Sequence, residues 1–199
     1  MARVRLTIVV AALLLVTAAA GVAAFRAGEE IVAPAFEGAT SPAGVPPSDL
    51  RGLRDQEGRA VSLADVRGRV TIVSFLYTSC TDTCPLTAQQ IRIALDALGQ
   101  DVPALAISVD PAGDTSRRAA RFLRRQGLEG RMRFLLGDRP ALARQWRAYG
   151  VQPQGEDFEH SARVVLLDRR GTQRVVHPVD RLDPDALAHD IRALQAEKA

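Results

Sequence analysis

The sequence predicts an α/β fold, a central sheet with flanking helices, and three observations predict it. Short runs of apolar and β-branched residues alternate with longer stretches of helical period, the series closes on two strands around a tight turn and a last helix, and 199 residues suit one core with a tail. The composition, 47% hydrophobic and 25% charged, is that of a globular protein. The formal charge of +3 misleads, because Arg3, Arg5 and Arg26 lie in the first 27 residues with no acid among them; without these three, 23 basic residues face 23 acidic ones. A body so balanced has no excess of positive charge to release counterions from phosphate, which excludes a nucleic-acid role.

The elements follow in order. Arg3 and Arg5 precede an uncharged run of 20 residues, Leu6 to Phe25, and Arg26 closes it. As a helix this run spans about 30 Å, the thickness of the hydrocarbon core. Residues 1–27 are therefore expected to be an N-terminal transmembrane anchor helix. A cleaved signal peptide is the competing reading, since Ala18 to Ala24 offers small residues for a cleavage site. Either way the leading arginines stay cytoplasmic, which places the body on the extracytoplasmic, periplasmic side of the plasma (inner) membrane. Residues 28–48, with Pro34, Pro42, Pro46 and Pro47, show no periodicity and are expected to be a flexible linker. The domain is then 49–199. Leu50 to Leu53, the turn Asp55 to Gly58 and Ala60 to Leu63 resemble a short hairpin covering an edge.

Val70 to Tyr77 is suited to a buried strand, and the cysteine segment follows it directly. Pro85 fits a helix's first turn, with the helix body at Leu86 to Leu98. Then come a strand at Ala104 to Val109, a helix from Thr115 to Gln126, a strand at Met132 to Leu136 and a helix from Pro140 to Tyr149. Val164 to Leu167, a turn at Asp168 to Gly171, a strand at Gln173 to Val176 and a helix from Pro184 to Gln195 complete the chain.

The two cysteines, Cys80 and Cys84, sit where a buried strand gives way to a helix. There they face unsatisfied N–H groups and the positive end of the macrodipole, which favour the thiolate and with it both metal binding and thiol exchange. Four residues apart, the two sulfurs lie on one side of the first turn, near enough to share a metal or to bond to each other. A structural disulfide gains little from so short a loop. Of the three histidines, His160 follows the loop 153–159 and precedes a strand, a suitable place for a ligand, whereas His177 and His189 are expected to be solvated. Two thiolates and an imidazole suit copper, Cu(I) through soft sulfur and Cu(II) through nitrogen, while zinc wants a fourth ligand, which an Asp or another His could supply. The spacing is one residue longer than the Cys-x-x-Cys of redox enzymes. Arg117, Arg118, Arg121, Arg124 and Arg125 form a basic stripe, read as a solvated helix face.

Three segments in order, Cys80-Thr-Asp-Thr-Cys84-Pro85, Ser108-Val-Asp-Pro111 with Asp114-Thr115, and Asp157-Phe-Glu-His160-Ser161, make the chain resemble the Sco/SenC family of copper proteins between Leu53 and Val175. The resemblance implies a thioredoxin-like fold, with copper held by Cys80, Cys84 and His160. It implies a copper metallochaperone for the copper centre of cytochrome c oxidase subunit II. Thr81 stands where the family often has proline, a departure that removes no ligand. A disulfide between Cys80 and Cys84 withdraws the thiolates from copper, so a thiol reductant of the thioredoxin type is an implied partner. The rival functions are a thiol-disulfide oxidoreductase that reduces the recipient's cysteines and a copper or redox sensor.

Overall fold

The structure is a computed structural model that describes residues 36–41, 45, 49–152 and 163–197. The chain divides after Ala35, and the unit Phe36–Ala199 carries the fold. The expected anchor, 1–27, lies outside the described residues, and among the described residues no helix is long and apolar enough to cross a membrane.

Among the described residues six strands, β1 (Ala39–Thr40), β2 (Thr71–Leu76), β3 (Ala104–Ser108), β4 (Met132–Leu135), β5 (Arg163–Leu167) and β6 (Gln173–Pro178), form one sheet in the order β1-β6-β5-β2-β3-β4. Helices α1 (Thr83–Leu98), α2 (Ser116–Gln126), α3 (Arg139–Ala148) and α4 (Pro184–Ala196) alternate with the strands. α1 and α2 return the chain between strands, so β2, β3 and β4 run parallel, with Phe75 beside Ile107 and Ile107 beside Leu135. β5 runs antiparallel to β2, and β6 antiparallel to β5. Every residue of β2 and β3 is buried, which requires cover on both faces of the sheet's centre; α1, for its part, packs against α4. The core runs through Ile72, Phe75, Ile91, Leu105, Phe134, Leu166 and Leu187.

Local chemistry sets the helix ends. Asp138 and Asp183 cap α3 and α4 by accepting from the N–H groups of Ala141 and Asp185 at 2.8 Å, each ahead of a proline in the first turn. The expected hairpin near residue 55 is a bridged turn, Arg54 with Ala60, and Arg54 also bridges Leu136 just past β4. The buried Asp55 carboxylate holds that turn through the backbone N–H groups of Glu57 and Arg59.

Two expectations are corrected. The linker was expected to run to Ser48, yet Ala39 and Thr40 pair with Val176 and Val175 of β6, and the Gln173 N–H donates to Val45 O at 3.1 Å. A two-residue strand is too short to show an alternating pattern, which is why it is invisible in the sequence. Its anchor is Asp190 of α4, fully buried, whose carboxylate accepts from the N–H groups of Glu37 and Gly38, both at 2.9 Å. The backbone comes so close that a Cβ on Gly38 would lie 2.6 Å from Val175 Cγ1.

His177, expected to be solvated, is only 4% exposed, with Nε2 3.0 Å from Asp190 Oδ2. Burial pushes its pKa below the ordinary imidazole value, against the opposing pull of Asp190. His189 touches the other oxygen of Asp190 at 2.9 Å and stays half-exposed.

Asp190→Ala removes the acceptor of two backbone donors. It is expected to cost about 2–4 kcal/mol and to bring amide exchange at residues 37–41 to the rate of an open chain while β2 stays protected. Hydrogen–deuterium exchange read by mass spectrometry checks this.

Candidate metal and thiol site

The site stands at the carboxyl ends of β2 and β3, where the sheet's central parallel strands open into loops. β2 leads through Tyr77, Thr78 and Ser79 to Cys80, and α1 begins at Thr83. The helix starts earlier than the sequence predicts, and it starts without a side-chain cap: Asp82 occupies the capping position but makes no capping hydrogen bond. Cys80 takes that role. The Cys84 N–H donates to Cys80 Sγ at 3.2 Å, so the sulfur satisfies one of the free donors of the first turn.

The two thiols differ. Both are reduced, Cys80 half-buried and Cys84 only 1% exposed. Partial burial raises the pKa of Cys80, but the N–H groups of Cys84 and Asp82, with side-chain hydrogen bonds to Cys84 and Tyr77, outweigh it and hold the thiol below its ordinary value. At Cys84 burial dominates, the charges of Cys80 and Asp114 add to it, and the thiol is pushed far up. Backbone N–H groups thus favour the thiolate at the accessible sulfur, and burial disfavours it at the enclosed one.

The loop bearing Cys80 is braced by Asp114, only 9% exposed, at the far side of the β3 loop. Its carboxylate accepts from the Thr78 N–H at 2.8 Å, the Thr78 hydroxyl at 2.6 Å and the Ser108 hydroxyl at 2.5 Å. Ser108 in turn accepts from the Asp110 N–H, Asp110 accepts from the Gly113 N–H, and the Trp146 indole donates to Ser108 O at 2.9 Å. Burial raises the pKa of Asp114, although these hydrogen bonds oppose it. The segment Asp110 to Thr115 forms a turn and a helix cap, in which Thr115 accepts from the Arg118 N–H. Its second task, tying β3's loop to the approach to Cys80, was not legible. The available signal was weak: an acidic residue six positions after a strand-end serine.

The structure places Cys80 and Cys84 at the head of one helix, with the Cys84 N–H on Cys80 Sγ. His160 lies outside the described residues. Among the described residues no group of three or more His, Cys, Asp or Glu could hold a metal, so the cysteines have no third partner there. As donors they fit copper: two sulfurs in one turn, one of them already accepting from a backbone N–H, make a soft site for Cu(I).

The SCO1/SenC family profile matches residues 52–196. The chain belongs to the SCO1/SenC family. It is 31% identical over 132 residues to the mitochondrial SCO2 homologue of Bos taurus, covering 60% of this chain and 49% of that protein. To the SCO1 protein homologue of Bacillus subtilis it is 29% identical over 114 residues, 53% of this chain and 59% of that one. The match thus spans about half the length of these relatives. Among solved structures, Bradyrhizobium japonicum ScoI with copper bound superposes with a TM-score of 0.60 at 31% identity, covering 70% of this chain and 94% of that one. BsSco, described as a member of the Sco family of cytochrome c oxidase assembly proteins with a disulfide switch, shares the fold at a TM-score of 0.66 and 22% identity, over 81% of this chain and 98% of that one. Copper is therefore found on relatives of this chain, and the mixed α/β sheet is theirs.

Two predictions follow from the geometry. In the reduced, metal-free protein, iodoacetamide should label Cys80 roughly tenfold or more faster than Cys84, since each unit of pKa separation is a factor of ten in thiolate, and the pH midpoint for Cys80 should fall below that of a free cysteine; peptide mapping reads both. Asp114→Ala leaves three donors unpaired and should cost about 2–4 kcal/mol with faster amide exchange at residues 78–82, whereas Asp114→Asn, which keeps an acceptor, should cost far less by denaturant unfolding.

Proposed function

We propose that this protein is a copper metallochaperone that binds copper through Cys80, Cys84 and His160 and delivers it to the copper centre of cytochrome c oxidase subunit II. The observation that carries the reading is the Cys80–Cys84 pair, joined by the Cys84 N–H donating to Cys80 Sγ at 3.2 Å at the head of α1. Membership of a family with copper-bound structures supports it. His160 supplies the imidazole that completes a three-ligand site, on the strength of its place in the family's third motif.

In this reading the cysteines have separate duties. Cys80, accessible and acidic, receives the metal first and releases it last. Cys84 is protonated in the empty site, so loading displaces its proton, and copper affinity weakens as pH falls. Delivery is stepwise exchange of one ligand at a time. A thioredoxin-type reductant keeps the pair open for metal, and residues 1–27 hold the domain on the extracytoplasmic side of the plasma membrane, where tethering replaces a strong interface.

The asymmetry of the thiols also favours a second reading, a thiol-disulfide oxidoreductase. There Cys80 thiolate attacks a partner's disulfide to form a mixed disulfide, releasing one partner thiolate; Cys84 then displaces the other, leaving Cys80 and Cys84 joined. One experiment decides. The reduced full-length chain in detergent is titrated anaerobically with Cu(I) against a competing chelator, beside Cys80→Ala, Cys84→Ala and His160→Ala. One-to-one binding is expected, weakened in each variant by more than the ~10–100-fold that loss of an outer partner costs. Affinity unchanged in His160→Ala removes that ligand, and absence of binding with disulfide exchange intact makes the oxidoreductase the better account.

A further inference from the structure

Beside Cys80 lies a cavity of about 220 Å³, bounded on one side by Ser79, Cys80 and Pro85 and on the other by Arg118, Arg121, Phe122 and Arg125 of α2. Three arginines of α2 thus line a space that Cys80 also lines. Several other arginines on the domain are matched to carboxylates: Arg59 and Arg133 to Asp55, Arg92 and Arg131 to Asp96, Arg174 to Glu197. Among the described residues Arg118, Arg121 and Arg125 have no acidic partner. Arg118 donates one N–H to Gly113 O at 2.7 Å. Arg121 and Arg125, at i and i+4, repel each other along the helix, a penalty that an incoming carboxylate removes.

The helix that lines the pocket is anchored to the core. Phe122 is buried and meets Phe134 of β4 edge-on, with ring centroids 5.9 Å apart, and Thr115 caps α2 at its start. A volume of about 220 Å³ falls below the ~300–1,000 Å³ of small-molecule and cofactor sites. It suits a side chain or two of a peptide. Guanidinium groups take carboxylates in bidentate fashion, and the shared wall puts whatever is attached to that carboxylate next to the Cys80 sulfur.

We propose that this cavity is a docking pocket for an acidic peptide segment flanking the cysteine of a partner protein. It adds to the function proposed above what the partner presents to Cys80, and because it is tested on metal-free protein it stands or falls separately from copper binding. In the exchange it serves, the Cys80 thiolate attacks the partner sulfur, the partner's existing S–S bond breaks, and its leaving thiolate departs. Cys84 then displaces the partner's sulfur, losing its proton to water as the Cys80–Cys84 bond forms.

The test uses two short cysteine peptides, each activated as a 2-thiopyridyl disulfide, identical except that two glutamates flank the cysteine in one and two glutamines in the other. Release of thiopyridone gives the rate with the reduced full-length chain in detergent. The glutamate peptide should react on the order of tenfold faster at low salt, and the advantage should shrink as salt screens it. Arg121→Glu with Arg125→Glu, both exposed positions, should abolish the preference and leave the glutamine peptide's rate nearly unchanged, with circular dichroism confirming the fold. Equal rates for the two peptides in the unmutated chain overturn the proposal. So does a preference that survives the double reversal, or a reversal that slows both peptides alike, because the arginines then act on the sulfur and not on the partner.

Discussion

The buried carboxylate of Asp114 is the constraint on which the working end of this molecule depends. It joins two loops that leave neighbouring parallel strands, taking the backbone and hydroxyl of Thr78 from one and the Ser108 hydroxyl from the other. The tie works with the buried Tyr77 and the Cys84 N–H to Cys80 Sγ bond to hold the segment between β2 and α1. With it, Cys80 is placed two residues past a fixed point, and its sulfur reaches the first turn of α1. The carboxylate's buried position works against its own charge, so the hydrogen bonds here are part of what makes the arrangement tolerable as well as what makes it useful.

From that placement the chemistry divides between two sulfurs of unequal character. A symmetric pair would bind metal or form a disulfide with no preferred order of events. Here the accessible sulfur is stabilised as thiolate by backbone N–H groups, and the enclosed one is kept neutral by burial. Ordered addition and release of a soft cation, and ordered thiol exchange, both draw on this same gradient. The pair alone therefore serves either chemistry, and an imidazole is what separates a carrier from an exchanger.

Much of the architecture was legible because its signals are local and repeated. β2 and β3 announce themselves as unbroken apolar runs, α2 as a stripe of arginine opposite Ala119, Phe122 and Leu123, all three buried, and the cysteines by their place at a strand-to-helix junction. What escaped depends on contacts between distant residues. β1 has two residues and exists only because β6 and Asp190 receive it; His177 looked exposed because a histidine before a proline at a strand end carries no mark of the carboxylate it meets 13 positions later in the sequence. The capping role of Cys80 was hidden because Asp82, a good capping residue by type, stands in the position and does not use it. The cavity beside Cys80 needs α2 laid against the cysteine loop before it exists at all.

The borders of the sheet limit how another protein can engage it. On one side the outermost strand is β1, with only two residues to offer. On the other, β4 has its outward Phe134 N–H occupied by the Gln56 side chain at 2.9 Å, and the chain just beyond it is bridged by Arg54. Among the described residues a partner segment has almost no main chain at these borders to zip onto, which disfavours recognition by strand addition there. Selectivity then has to come from side chains around the cysteine loop, which discriminate by charge and shape and let go more readily than a ladder of backbone bonds. For the carrier proposed above, which must surrender what it holds, a weak and specific handshake is the more serviceable kind.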